Sequence, residues 1–159
     1  MQTFLPYKSF KESLKSLDYR RLGKQRVEAM QILNVLLGRT ETKGWSNHPI
    51  TKMWKGYENA LKQYHNECID EWIGRGYNNT MKLEEIEGDI LYPDWLGNDL
   101  FHSSHRANLL RKDREYYSKF MWNENPDDPY AWFDTDKNEW YLQLVGTGVR
   151  EYVEKSINI

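Results

Sequence analysis

Apolar residues recur at helical spacing in four stretches of the chain. Ser9-Phe10-Lys11-Glu12 sets a hydroxyl three residues before a carboxylate, the capping-box pattern, and predicts a short helix from about Phe10 to Leu17. Asp18 is placed to cap a second helix. There Leu22, Met30, Leu33 and Leu36 or Leu37 share a side, and Gly38 is the stop. Residues 39–47 read as a loop. Ser46 or Asn47 then offers a cap, and Pro49 suits a first turn, where a missing N–H costs nothing. Ile50, Met53, Trp54, Tyr57, Leu61, Tyr64, Cys68 and Trp72 follow three or four residues apart, predicting one long helix up to Gly74-Arg75-Gly76. Trp54 and Trp72 lie on its apolar stripe and are expected in the core.

Residues 77–101 are irregular and acidic, with Pro93 and Gly97. A fourth helix is predicted from near Ser103 or Ser104, carrying Leu109, Leu110, Tyr116, Tyr117 and Phe120 before Asn125-Pro126-Asp127-Asp128-Pro129 breaks it. One strand-like run follows, Glu139–Val145, then Gly-Thr-Gly and a short amphipathic end. The expected fold is mainly α: a compact single domain with irregular loops. Residues 1–132 form its helical body, and 133–159 a C-terminal extension with room for a strand or hairpin.

Length and composition narrow the classes. The 159 residues suit one domain, and a hydrophobic fraction of 39% is enough for a core. No apolar stretch is long enough to cross a membrane, and the opening MQTFLPYKSFKES lacks the form of a secretory signal. The single cysteine, Cys68, excludes an intrachain disulfide and a multi-cysteine zinc site, so a reducing cytosol is the expected home.

The net charge of −2 hides alternating blocks. Residues 1–75 balance to +5, 76–100 to −5, 101–119 to +3 and 120–159 to −5. Basic blocks that share a face can hold a phosphate backbone despite the acidic total. Trp and Tyr supply 18 of the 23 aromatic residues, more than a core this small absorbs. Some are therefore expected to line a groove where a ring stacks on a base.

Phosphate-loop, dinucleotide, serine-hydrolase and HExxH signals are absent. His102 and His105 are three apart, but two ligands do not make a metal site. Two basic constellations carry more. Asp18-Tyr19-Arg20-Arg21-Leu22-Gly23-Lys24-Gln25-Arg26-Val27-Glu28 gathers four cations at a helix start, where the macrodipole already favours anions. Such cations oppose the helix alone and suit an anion brought from outside; the competing reading is a solvated face with Lys24–Glu28 pairing. Phe101-His102-Ser103-Ser104-His105-Arg106, followed by Arg111 and Lys112, offers hydroxyls and cations at another predicted helix start. There the alternative is plain capping with a solvated basic face.

The order of these blocks, with Asn47-His48-Pro49, Glu71-Trp72-Ile73-Gly74-Arg75-Gly76-Tyr77 and Tyr130-Ala131-Trp132 between and after them, resembles the phage endonuclease V type of pyrimidine-dimer DNA glycosylase. It is more similar still to a related bacterial and phage branch with MQTFLPY, LGKQRVEA, NHP, WLG and SHRxNLLRK blocks. The resemblance covers roughly residues 1–132. It implies an all-helical enzyme that flips a nucleotide, attacks the sugar C1′ with its N-terminal α-amine to form a Schiff base, and cuts the strand by β-elimination. An α-amine ionises at about 7.7–8.0, far below a lysine, so roughly a tenth or more of it is a free nucleophile at pH 7. Carried onto this chain, the resemblance implies Met1 as nucleophile, Glu28 as acid/base and Arg26 beside it. Those enzymes have Arg and Glu adjacent, whereas Val27 separates them here, and Asp18 is the alternative carboxylate. Implied DNA contacts are Arg20, Arg21, Lys24, His48, His105, Arg106, Arg111 and Lys112. The implied partner is double-stranded DNA with a damaged or modified pyrimidine, bound by a monomer without metal or cofactor. A second reading keeps the scaffold as a DNA- or nucleotide-binding protein without catalysis. A third uses the acidic residues 120–159 as an interaction module.

Overall fold

The computed structural model describes residues 1–41, 44–144 and 146–153. Among these are six α-helices, a short 3-10 turn and a three-stranded antiparallel sheet, so the fold is mainly helical. The chain divides into two units, one of Met1–Phe4 and Ser9–Asp94, the other of Leu5–Lys8 and Trp95 onward. None of the described helices is long and apolar enough to cross a membrane.

The first unit holds four helices. Helix α1, Phe10–Ser16, starts at Ser9, whose hydroxyl accepts from Glu12 N at 3.1 Å, as the capping-box pattern predicts. Helix α2, Tyr19–Leu36, is capped by Asp18, which accepts from Arg21 N and pairs with the Arg21 guanidinium at 3.1 Å. Its buried stripe is Leu22, Gln25, Ala29, Ile32 and Leu33. Met30 and Leu36 are only half-buried and Leu37 is exposed, which shifts the apolar face from the one expected.

The long helix predicted from Pro49 is two. Helix α3 spans Pro49–Trp54 and α4 spans Glu58–Gly74. Gly56, at φ 91°, adopts the left-handed conformation between them, which ends the first helix while leaving the apolar spacing intact. The cap of α3 is neither Ser46 nor Asn47 but His48, whose Nδ1 accepts from Ile50 N at 3.1 Å. Trp54 is fully buried, as expected, but Trp72 is partly exposed. Residues 77–92 lack regular structure because side chains of α4 satisfy their backbone. Asn66 exchanges two bonds with the Glu84 backbone, Lys62 donates to Glu85 O, and Asn59 donates to Glu87 O and Asp89 O.

The second unit holds α5, Asp99–Lys112, and α6, Arg114–Tyr117. Helix α5 begins a turn earlier than predicted because Asn98 accepts from Phe101 N at 2.9 Å. Ser103 and Ser104 therefore lie inside the helix. Ser104 Oγ donates to Phe101 O and accepts from Ala131 N, fastening α5 to the sheet. Asp113 breaks the predicted fourth helix and caps α6, accepting from Tyr116 N.

Strands β1 (Tyr130–Asp134), β2 (Glu139–Gln143) and β3 (Arg150–Tyr152) form a meander in which Trp132 faces Tyr141 and Tyr141 faces Tyr152. Only the middle strand was legible as a strand in the sequence, and its expected last residue, Val145, lies outside the described residues. β1 runs across position 132, where the sequence reading divides body from extension.

Candidate active site

Residues Met1–Phe4 lie outside any helix or strand. Their backbone groups need partners, and α2 supplies the main one. The amide of Gln25, almost fully buried, donates from Nε2 to Gln2 O at 3.0 Å, and its Oε1 accepts from Phe4 N at 2.8 Å. The same Oε1 lies 2.6 Å from the Tyr64 hydroxyl, which also sits 2.9 Å from Phe4 O. Trp54 Nε1 donates to Thr3 Oγ1 at 3.0 Å. Three helices thus grip the first four residues.

Glu28, one turn beyond Gln25, belongs to this network. Its Oε2 accepts from Gln25 Nε2 at 2.9 Å, and its side chain is only half-buried. Burial, with the Cys68 and Glu28 charges adding, pushes the Tyr64 hydroxyl well above its usual pKa and keeps it a donor. His48 lies where the N-terminal amine is felt. Burial first, and the positive amine second, lower its pKa to about 4, so its ring is neutral at pH 7. One amide, Gln25, therefore holds both the backbone at the start of the chain and the half-buried Glu28 carboxylate.

The remaining candidates fall elsewhere. Arg20 and Lys24 are exposed on the first two turns of α2, and Arg21 is paired with Asp18. Asp18 serves as a helix cap with a guanidinium on it. The Arg26 guanidinium lies over the Trp72 ring of α4, and its Nη1 donates at 2.7 Å to Oδ1 of Asn79 in the segment after that helix.

On α5 the histidines have structural tasks. His105 Nδ1 accepts from Leu5 N at 2.8 Å, and His102 Nδ1 lies 2.7 Å from Leu5 O while its Nε2 accepts from Gly97 N. His102 must then carry its proton on Nδ1, so the pair brackets one residue, His105 on the Leu5 N–H and His102 on its C=O, as a neighbouring strand would. Burial lowers both pKa values, and His105 is fully buried, which corrects its expected place as a strand contact. Arg106 pairs with Glu124 and donates to Pro6 O, and Arg111 donates to Pro126 O. Lys112 is exposed at the end of α5.

Gln25, Tyr64 and Thr3 were missed in the sequence. One signal was there for Gln25: a polar residue at a core position of the α2 stripe, between Leu22 and Ala29, where burial without partners is costly.

A family model described as pyrimidine dimer DNA glycosylase matches residues 1–85 of the chain, the span that holds this network. No curated protein and no solved structure matches the chain.

Proposed function

The chain belongs to the pyrimidine dimer DNA glycosylase family, and from that premise we propose that it removes a damaged or modified pyrimidine from DNA through the α-amine of Met1. In this reading the amine attacks the sugar C1′, the bond from C1′ to the base breaks, and a Schiff base forms after the sugar ring opens. Loss of a C2′ proton then breaks the C3′–O bond and cuts the strand. Glu28 stabilises the cationic sugar and moves the protons, because a half-buried carboxylate is worth most where positive charge develops. The protein acts as a monomer on double-stranded DNA, with Arg20, Lys24 and Arg26 on the strand side.

The observation that carries the reading is the Gln25 side chain. It binds the backbone of the segment that begins at Met1 and the Glu28 carboxylate with one nitrogen. Nucleophile and carboxylate are thereby referred to the same group, as reactions between oriented partners require. The same observation supports Glu28 over Asp18, which is occupied as a cap.

Borohydride trapping on an oligonucleotide with one abasic site tests this, using protein whose first residue is confirmed as Met1 by mass spectrometry. A covalent adduct is expected, lost when the amine is blocked. Glu28→Gln is expected to slow single-turnover cleavage about 10²–10⁴-fold. No adduct from protein that still binds the DNA at low salt would overturn the chemistry and leave binding without catalysis.

A further inference from the structure

The segment that follows α4 is fastened to that helix by its backbone oxygens. Asn66, Lys62 and Asn59 donate to the carbonyl oxygens of Glu84, Glu85, Glu87 and Asp89 at 2.9–3.1 Å. At the far end the Tyr92 hydroxyl donates to Gln63 Oε1 at 2.5 Å. The Glu84 carboxylate takes two bonds from Arg39, at 2.9 and 3.0 Å.

The backbone donors are left over. From Glu85 to Leu91 no N–H donates to any group among the described residues. Exposed and half-buried positions alternate from Leu83 to Glu87 and again from Asp89 to Leu91, and Gly88 at φ 81° joins the two stretches. Such alternation gives a segment one side on its support and the other in solvent, as in a half-buried strand. Here α4 side chains stand where a neighbouring strand would.

The solvent side is apolar at both ends and acidic between. Leu83 is 56% exposed and Leu91 66%. Glu85, Glu87 and Asp89 lie between them, all exposed and none in an ion pair among the described residues. Residues 83–91 contain no Lys or Arg. Of the cations near by, Arg39 is spent on Glu84 and Lys62 reaches the Glu85 carbonyl. Exposed leucines gain when another chain covers them. Backbone N–H groups without partners are a template for a second main chain. The unmatched carboxylates turn away a phosphate backbone and select Lys or Arg.

We propose that residues 83–91 form a docking strip for a segment of a partner protein that carries Lys or Arg between two apolar residues. The partner's main chain accepts from the N–H groups, its basic side chains meet Glu85, Glu87 and Asp89, and its apolar ends cover Leu83 and Leu91. A strip already fastened to α4 loses little further freedom when it is covered. None of these residues belongs to the network around Met1 and Glu28, so strip and chemistry stand or fall separately.

Fluorescence anisotropy with two labelled peptides tests it. One alternates lysine and threonine between a leucine at each end; the other has serine in place of both leucines. The leucine-ended peptide is expected to bind more tightly. Leu83→Ser with Leu91→Ser should weaken that binding about tenfold, from the apolar area no longer covered. Glu85→Gln, Glu87→Gln and Asp89→Asn together should weaken it about tenfold at low salt and less at high salt. All five side chains point to solvent, so the variants keep the fold, as circular dichroism checks. No binding by the unaltered protein, equal affinity for both peptides, or affinity unchanged by either set of substitutions overturns the strip. Self-association in sedimentation that the same substitutions abolish would give the strip to a second copy of this chain and overturn the partner.

Discussion

Gln25 Nε2 stands 2.9 Å from a Glu28 carboxylate oxygen and 3.0 Å from the Gln2 carbonyl oxygen. On its other side, Gln25 Oε1 accepts from Phe4 N. One buried amide therefore ties the first residues to the Glu28 carboxylate, and its loss has two separable effects.

Gln25→Ala is expected to destabilise the protein by about 3 kcal/mol, because Phe4 N and Gln2 O are left buried without their partner. Urea unfolding monitored by tryptophan fluorescence measures it. Gln25→Glu keeps the acceptor for Phe4 N but sets a second carboxyl against Glu28. That variant should lose stability as pH rises and the pair ionises, whereas the native side chain has no such dependence. An unchanged pH profile would remove Glu28 from contact with position 25.

His48 has a folded-state pKa of about 4, below the roughly 6.5 of an unfolded histidine. The unfolded chain then binds the extra proton first. His48 favours the folded state fully above about pH 6.5, and that contribution is lost as pH falls towards 4. His65, His102 and His105 are shifted in the same direction by burial. His48→Asn keeps a capping oxygen for α3 without the titration. It should flatten part of the decline in urea midpoint between pH 7 and 4.

Gly23→Ala should destabilise the protein. At an open helix position that change gains up to about 1 kcal/mol. Here the new methyl meets Trp72 at 3.1 Å, and the ring is held by Tyr77, Arg26 and the Asn78 carbonyl. Trp72→Leu in the same background should return the gain. A higher melting temperature for Gly23→Ala alone would show that the ring yields.

His105→Ala should cost about 2–3 kcal/mol by leaving Leu5 N–H buried without its acceptor. His102→Ala should cost a similar amount through Leu5 O and Gly97 N. The double variant should lose less than the two together, since both rings grip one residue, Leu5. Thermal unfolding of the three variants decides this.

Local signals predicted local structure well. The Ser9 and Asp18 caps and the buried Trp54 all follow from side chains that act within a turn or along one helix face. The break at Gly56 and the early start at Asn98 escaped the periodicity. A left-handed glycine and a single capping amide alter the backbone without altering which residues are apolar. Strand β1 was hidden in a segment read as the end of the helical body, because five residues give little period to count.

The candidate site divides the same way. The sequence by itself determined the chemical inventory: a basic start to α2 with Glu28 on its third turn, a family block beginning at Met1, and more aromatic residues than a small core can hold. Only the tertiary structure decided which groups meet. Gln25 is 23 positions from Gln2 and Tyr64 is 60 from Phe4, and no local pattern encodes those pairings. They arise because a segment outside any helix or strand must satisfy its buried N–H and C=O groups, and the side chains within reach of them are set by how α2, α3 and α4 pack.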